Sequence, residues 1–350
     1  MPQFTRTHRH VRSLLQHSTV RRLVNLARVE WEYRRRYTTV RGRPYILFVD
    51  PTNVCNLRCP LCPTGLGNPG RRAMMMPWDT FTRAIDQLAP WAFEVNLHNW
   101  GESLLHKHVF DMIAYCRDRN LATTMSENFG VVRPGVVDRL IESGLEYLTL
   151  SIDGATQDVY ARYRQGGDLA VVLQNTRELV RRRAELGSRT PFIEWQFIVM
   201  RHNAHELEAC RALAADIGVD LFRVIPPGIP FDAENGAALK TEWFVPAAEP
   251  AGNGEGTYED FRQQQDTACF YLYRSFTVNP DGKTAPCCIV SGVENDFGDL
   301  LREDVASIWN NERYRSARAQ FRHRGEVLVE TVCDRCDYFA KRTLPPARRG

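Results

Sequence analysis

The sequence predicts an α/β protein: a parallel sheet curled into a partial (β/α)6 barrel of the TIM type, followed by a smaller cysteine-bearing module. Three observations predict it. From residue 44 onward, short apolar runs suited to strands fall at 45–50, 94–98, 121–125, 146–151, 193–199 and 221–225. Amphipathic helical stretches fill the gaps at 78–90, 107–119, 133–143, 156–186 and 204–217, and strand–helix alternation folds into a parallel sheet with its helices outside. Finally, seven of the ten cysteines form two sets, Cys55, Cys59 and Cys62 early and Cys269, Cys287, Cys333 and Cys336 late.

The domain boundaries follow from composition. Residues 1–43 form a basic, helix-like extension with Arg9, Arg12, Arg21, Arg22, Arg28 and the Arg34–Arg36 run. Leu14, Leu15, Leu23, Val24 and Leu26 are placed to form one apolar face. A solvated cap packed on the barrel is the expected role, with peripheral contact to a membrane or an acidic partner as the alternative. Residues 44–225 make the barrel. Residues 226–264 are rich in Pro, Gly and Ala and read as a connecting loop. Residues 265–345 hold the second cysteine set. Net charge is only +3, which gives no general affinity for nucleic acid, and no apolar run reaches the roughly 18 residues of a membrane span. No secretory leader pattern opens the sequence. A cytoplasmic location is expected, and there clustered thiols more often bind metal than form disulfides.

Directly after the first strand comes Asp50-Pro51-Thr52-Asn53-Val54-Cys55-Asn56-Leu57-Arg58-Cys59-Pro60-Leu61-Cys62. Three thiolates at C-x3-C-x2-C can wrap one face of a 4Fe-4S cube and leave the fourth iron open. Structural zinc wants four ligands, and no fourth Cys or His lies close in sequence. In the second set, Asn279-Pro280-Asp281-Gly282 is a turn signal that creates a hairpin between two ligands. Four cysteines satisfy either a tetrahedral zinc or an iron–sulfur cluster. Cys116 and Cys210 continue helical apolar stripes and are expected in the core. Cys288 is expected to be structural, an alternative ligand to Cys287, or a hydrogen-atom donor.

The first cysteine loop resembles the radical S-adenosylmethionine (SAM) superfamily, whose open iron chelates the amino and carboxylate groups of SAM. Asn99-Trp100-Gly101-Glu102-Ser103 resembles that family's Gly-Gly-Glu-Pro segment, although Trp100 and Ser103 depart from it. By this resemblance Gly101 and Glu102 receive the methionine amino group, and Ser126 and Asn128 meet the ribose or methionine moiety. Ser151 bonds SAM, and Arg164 pairs with its carboxylate. The second cysteine set resembles the SPASM domain, in the shortened twitch form found in an aminocyclitol dehydrogenase. The resemblance implies one auxiliary 4Fe-4S cluster, with Gly298-Asp299-Leu300-Leu301, Ser307-Ile308-Trp309 and a basic helix completing the pattern.

The implied activity is a radical SAM oxidoreductase or lyase. A 5′-deoxyadenosyl radical takes a hydrogen atom from a carbohydrate-like small molecule in antibiotic or other natural-product biosynthesis, with electrons from a flavodoxin or ferredoxin. Dehydrogenation, or decarboxylation of a substrate such as cytosylglucuronic acid, would follow. The alternatives are an epimerase using Cys288 and a maturase of ribosomally made peptides. His98, Glu194, Gln196 and Arg223 are the candidate substrate contacts, chosen by their position on the strands.

Overall fold

The computed structural model describes residues 6–67, 71–231, 233, 235–246, 268–322 and 325–336. Helices α1 (Arg6–Gln16) and α2 (Val20–Arg35) precede β1 (Ile46–Val49). Then come α3 (Trp78–Leu88), β2 (Glu94–Asn96), α4 (Val109–Arg117), β3 (Ala122–Glu127), α5 (Val136–Glu142) and β4 (Tyr147–Ser151). The array continues through α6 (Gln157–Tyr163), α7 (Leu169–Glu185), β5 (Phe192–Ile198), α8 (Leu207–Ile217) and β6 (Leu221–Ile225). The six expected strands pair in parallel in the order β6-β5-β4-β3-β2-β1.

Side-chain alternation divides the sheet into two different faces. Leu47, Val49, Val95, Leu148, Leu150, Ile193, Trp195 and Phe197 have no exposed surface and share a core with the helices. Cys116 and Cys210 lie in the same core, as their helical stripes predict. The other face carries Asn96, Thr124, Ser126, Thr149, Ser151, Glu194, Gln196 and Arg223. Thr124 donates to Asn96 across two strands at 2.8 Å, and Arg223 reaches Glu194 and Gln196 on the neighbouring strand. A parallel sheet packed on both sides reads as continuous hydrophobic runs. A polar inner face instead marks the lumen of an open barrel, a place for a ligand.

The stretch expected as one helix over 156–186 is two. Gly166 takes φ +86° and Asp168 caps α7 by accepting from the Val171 amide. The turn between α6 and α7 carries Arg164 to the carboxyl ends of the strands.

The second cysteine module continues the barrel's sheet and does not hang from it. After α9 (Gly236–Trp243) and the short α10 (Tyr271–Arg274), β7 (Ser275–Val278) pairs in parallel with β1, Ile46 opposite Ser275 and Val49 opposite Val278. An edge strand leaves backbone groups open, and β7 occupies those of β1. The expected turn at 279–282 joins β7 to β8 (Lys283–Ala285), with Gly282 at φ +79°. β9 (Gly298–Asp299) completes a nine-stranded sheet. Of α11 (Val305–Trp309) and α12 (Glu312–Ala319), the second buries Arg318 completely, donating to the carbonyls of Leu272 and Trp309.

The apolar face expected on the N-terminal extension divides in two. Leu14 and Leu26 pack inward, whereas Leu15, Leu23 and Val24 point outward. The inward face is largely polar: buried Arg22 donates to the carbonyls of Ala89, Arg119 and Asn120. Those carbonyls end α3 and α4, where a cation meets the negative end of the helix dipole. That satisfaction outweighs aliphatic packing and turns the leucines out.

Candidate functional site

The loop from Asp50 to Cys62 leaves β1 at the carboxyl end of the sheet, where open α/β folds place their chemistry. Asp50 is fully buried and accepts from the Trp100 amide at 3.3 Å, tying the loops after β1 and β2 together. Burial pushes its carboxyl up to about 7. Gly101 is required here: a Cβ would stand 1.8 Å from the Thr52 carbonyl. Gly65 has the same role against the backbone of Cys59.

Cys55, Cys59 and Cys62 sit in a small apolar cluster with Leu57, Leu61, Tyr163, Met200 and Trp243. Two polar groups enter this dry wall. Asn128 donates to the Cys55 sulfur at 3.6 Å and to Asn56 at 2.9 Å. Arg164 stands 3.9 Å from the Cys59 sulfur and donates from Nε to Asp153 at 2.6 Å. The other Asp153 oxygen accepts from the Ile198 amide at 2.6 Å. Asp153 holds Arg164 charged against its burial. Burial pushes the Cys55 thiol up to about 12 and raises Cys59, so metal binding must carry away protons.

Glu102 is buried, and its carboxylate accepts from the amides of Asn128 at 2.8 Å and Phe129 at 3.4 Å. Burial raises it, and more strongly its neighbour Glu127. Glu102 thus fastens the end of β3 to the loop after β2. Ser126 and Ser151 lie beside Asn128 and Asp153 on the inner face. Glu194, Gln196 and Arg223 belong to this lumen by register, and His98 follows β2 two residues beyond Asn96. The Arg223 guanidinium pairs with Glu194 at 2.7 Å and also donates to Gln196, while Tyr147 donates to the second Glu194 oxygen.

The second cysteine set lines one cavity. Cys269, Cys287, Cys333 and Cys336 share it with Tyr271, Leu272, Pro286, Ile289, Val290 and Phe321. Burial pushes Cys269 up to about 12 and raises Cys287 and Cys333. Cys288 does not line this cavity; it shares a hydrogen bond with the Tyr271 hydroxyl. Four thiols around one apolar space fit a soft-ligand group such as an iron–sulfur cube.

Sequence reasoning missed several supporting residues. Trp243, inside the expected connecting loop, is buried against the first cysteine loop and meets Tyr163 edge-on at 5.6 Å. Its signal was the adjacent aromatic pair Trp243-Phe244 in an Ala- and Gly-rich stretch. Arg71 bridges Asp281 at 2.5 Å and Asp296 at 2.7 Å, joining the segment after the first thiols to the second module. Asn99 donates to the Cys288 carbonyl at 2.9 Å while accepting from Trp100 Nε1 at 2.9 Å. No local pattern announces either contact.

Known proteins share this arrangement. Residues 49–193 match the radical SAM superfamily, and residues 269–337 match SPASM, an iron–sulfur cluster-binding domain. The PqqA peptide cyclase of Xanthomonas campestris pv. campestris is 24% identical over 314 residues, covering 84% of this chain and 79% of that protein. Streptococcus suis SuiB bound to precursor peptide SuiA aligns with a TM-score of 0.61 at 14% identity, over 86% of this chain and 72% of SuiB. BtrN in complex with AdoMet and 2-DOIA aligns at 0.50 and 14% identity, over 80% of this chain and 87% of BtrN. These structural likenesses concern the fold. A radical SAM domain binds a 4Fe-4S cluster and SAM, and a SPASM domain binds auxiliary iron–sulfur clusters; both thiol sets fit those groups. The chain belongs to the radical SAM superfamily and is a radical SAM enzyme with a C-terminal SPASM module.

Proposed function

We propose that this enzyme modifies a peptide, as a maturase of a ribosomally made precursor. The observation that carries the reading is the relatedness to PqqA peptide cyclase along 84% of the chain. It replaces the expected carbohydrate-like small molecule, which the curated relatives do not support.

In this reading Cys55, Cys59 and Cys62 hold the SAM-binding cluster, and Cys269, Cys287, Cys333 and Cys336 hold one auxiliary cluster. A cluster held there would supply the reducing electron for SAM-dependent radical chemistry, in which a hydrogen atom is taken from a substrate carbon. The chain's own residues do the positioning. Glu102 fixes Asn128 through its backbone amide, and Asn128 and Arg164 direct N–H groups at ligand sulfurs, which tunes a cluster. Gly101 lets the loop after β2 approach the Thr52 carbonyl backbone to backbone, and its amide helps hold Asp50. Trp243, Tyr163 and Met200 keep water from the first cysteine loop. The polar lumen, with Glu194 and Gln196, orients the substrate together with His98 after β2.

The test is anaerobic reconstitution with SAM and reductant against precursor peptides and a panel of sugars, aminocyclitols and nucleosides. Peptide-dependent 5′-deoxyadenosine with loss of a hydrogen pair from the peptide is the expected result. Turnover of a sugar or nucleoside alone would return the reading to the small-molecule class.

A further inference from the structure

The N-terminal helices turn an apolar, cationic ridge to solvent, independently of which substrate the barrel takes. On α2, Val20, Val24, Ala27 and Trp31 recur at helical spacing with Leu23 beside them. Val20 is 81% exposed, Leu23 48%, Val24 55% and Trp31 51%, and Leu15 on α1 is 74% exposed. Contiguous apolar surface of this kind marks an interaction site, whereas scattered single residues do not.

Charge selects the partner. Residues 1–29 contain no Asp or Glu. The two acids of α2 turn inward: Glu30 accepts from Tyr45 and Arg274, and Glu32 accepts from the amides of Arg41 and Gly42. The exposed side of α2 therefore carries Arg21, Arg28, Arg34 and Arg35 beside the apolar ridge, with no acid among them. A second copy would present the same cations and repel. A basic amphipathic helix with an interfacial Trp suits an anionic lipid surface, where apolar side chains enter and arginines meet phosphates.

We propose that α1 and α2 dock this enzyme on an anionic phospholipid bilayer. Arg22 anchors α2 to carbonyls that precede β2 and β3. The docked face is thus opposite the carboxyl ends of the strands, so the mouth stays open to substrate.

The reconstituted holoenzyme is sedimented with vesicles of phosphatidylglycerol and, separately, of phosphatidylcholine. Binding to phosphatidylglycerol that weakens with salt is expected, with little on phosphatidylcholine. Arg28→Gln with Arg35→Gln should weaken it on the order of tenfold or more, given the energy of each cation at such a surface. Val24→Asp with Trp31→Ala should abolish it, and basal SAM cleavage should be unchanged in both. Equal binding to the two lipids, no binding at low salt, or variants that bind like the parent would overturn the proposal. So would a lipid-free dimer, seen by light scattering, that Val24→Asp dissolves.

Discussion

The two cysteine sites are built from the same ligand on opposite plans. The first takes three thiols from one short loop and surrounds them with groups that arrive from β3 and from the α6–α7 turn. Asn128 and Arg164 point donors at its sulfurs, and a buried carboxylate holds Arg164 in place. The second gathers four thiols from separated segments around an apolar cavity. A site that must admit and release SAM needs an open ligand position and polar groups nearby. A site that holds a fixed redox group needs every position closed. The sites are also joined, by Arg71 to Asp281 and Asp296 and by Asn99 to the Cys288 backbone.

Four experiments break or sharpen that contrast, beginning with the largest effect. Cys59→Ala should abolish SAM cleavage and reduce bound iron from about eight to about four atoms per chain, measured by iron analysis and 5′-deoxyadenosine. Cys287→Ala should cause a similar loss of iron while SAM cleavage persists, and Cys288→Ala should retain full iron. Loss of iron in Cys288→Ala but not in Cys287→Ala would exchange the two assignments.

Arg164→Gln leaves Asp153 buried without its ion partner, a change that typically costs about 3–5 kcal/mol. A lowered Tm is expected, with partial rescue by Arg164→Lys. An unchanged Tm would show that Asp153 is sustained by the Ile198 amide alone.

The smallest effect is a pH dependence. Burial pushes the Asp50 carboxyl up to about 7 from its ordinary 3.8. A raised acid stabilises the fold while protonated, so its contribution is full below about 4 and is lost as pH rises through about 7. Urea titrations of the parent and Asp50→Asn, compared from pH 5 to 8, isolate this term. The stability difference between them should shift by on the order of a few kcal/mol, the asparagine chain lacking the decline.

Local patterning carried much of this into the sequence. Short apolar runs separated by amphipathic helical stretches placed six strands, because hydrophobic patterning reports which segments are buried. The C-x3-C-x2-C spacing located the first site, because one loop supplies all its ligands. The second site was harder, since its thiols are spread from 269 to 336 and a one-dimensional spacing leaves zinc and iron–sulfur chemistry equally satisfied. Only the shared cavity separates Cys287 from Cys288. Arg223 shows the limit most clearly. Its place on β6 predicted the lumen, but its pairing with Glu194 depends on the β5–β6 register.

By itself the sequence determined the fold class, the first thiol loop and the glycine that its backbone approach demands, all set within a few residues of chain. The tertiary structure decided which charges are neutralised, which thiols share a space, and that the second module extends the barrel's sheet. It also decided that the extension's aliphatics face outward. These depend on energies between distant segments: a buried guanidinium must find carbonyls, and those carbonyls belong to α3 and α4, far along the chain.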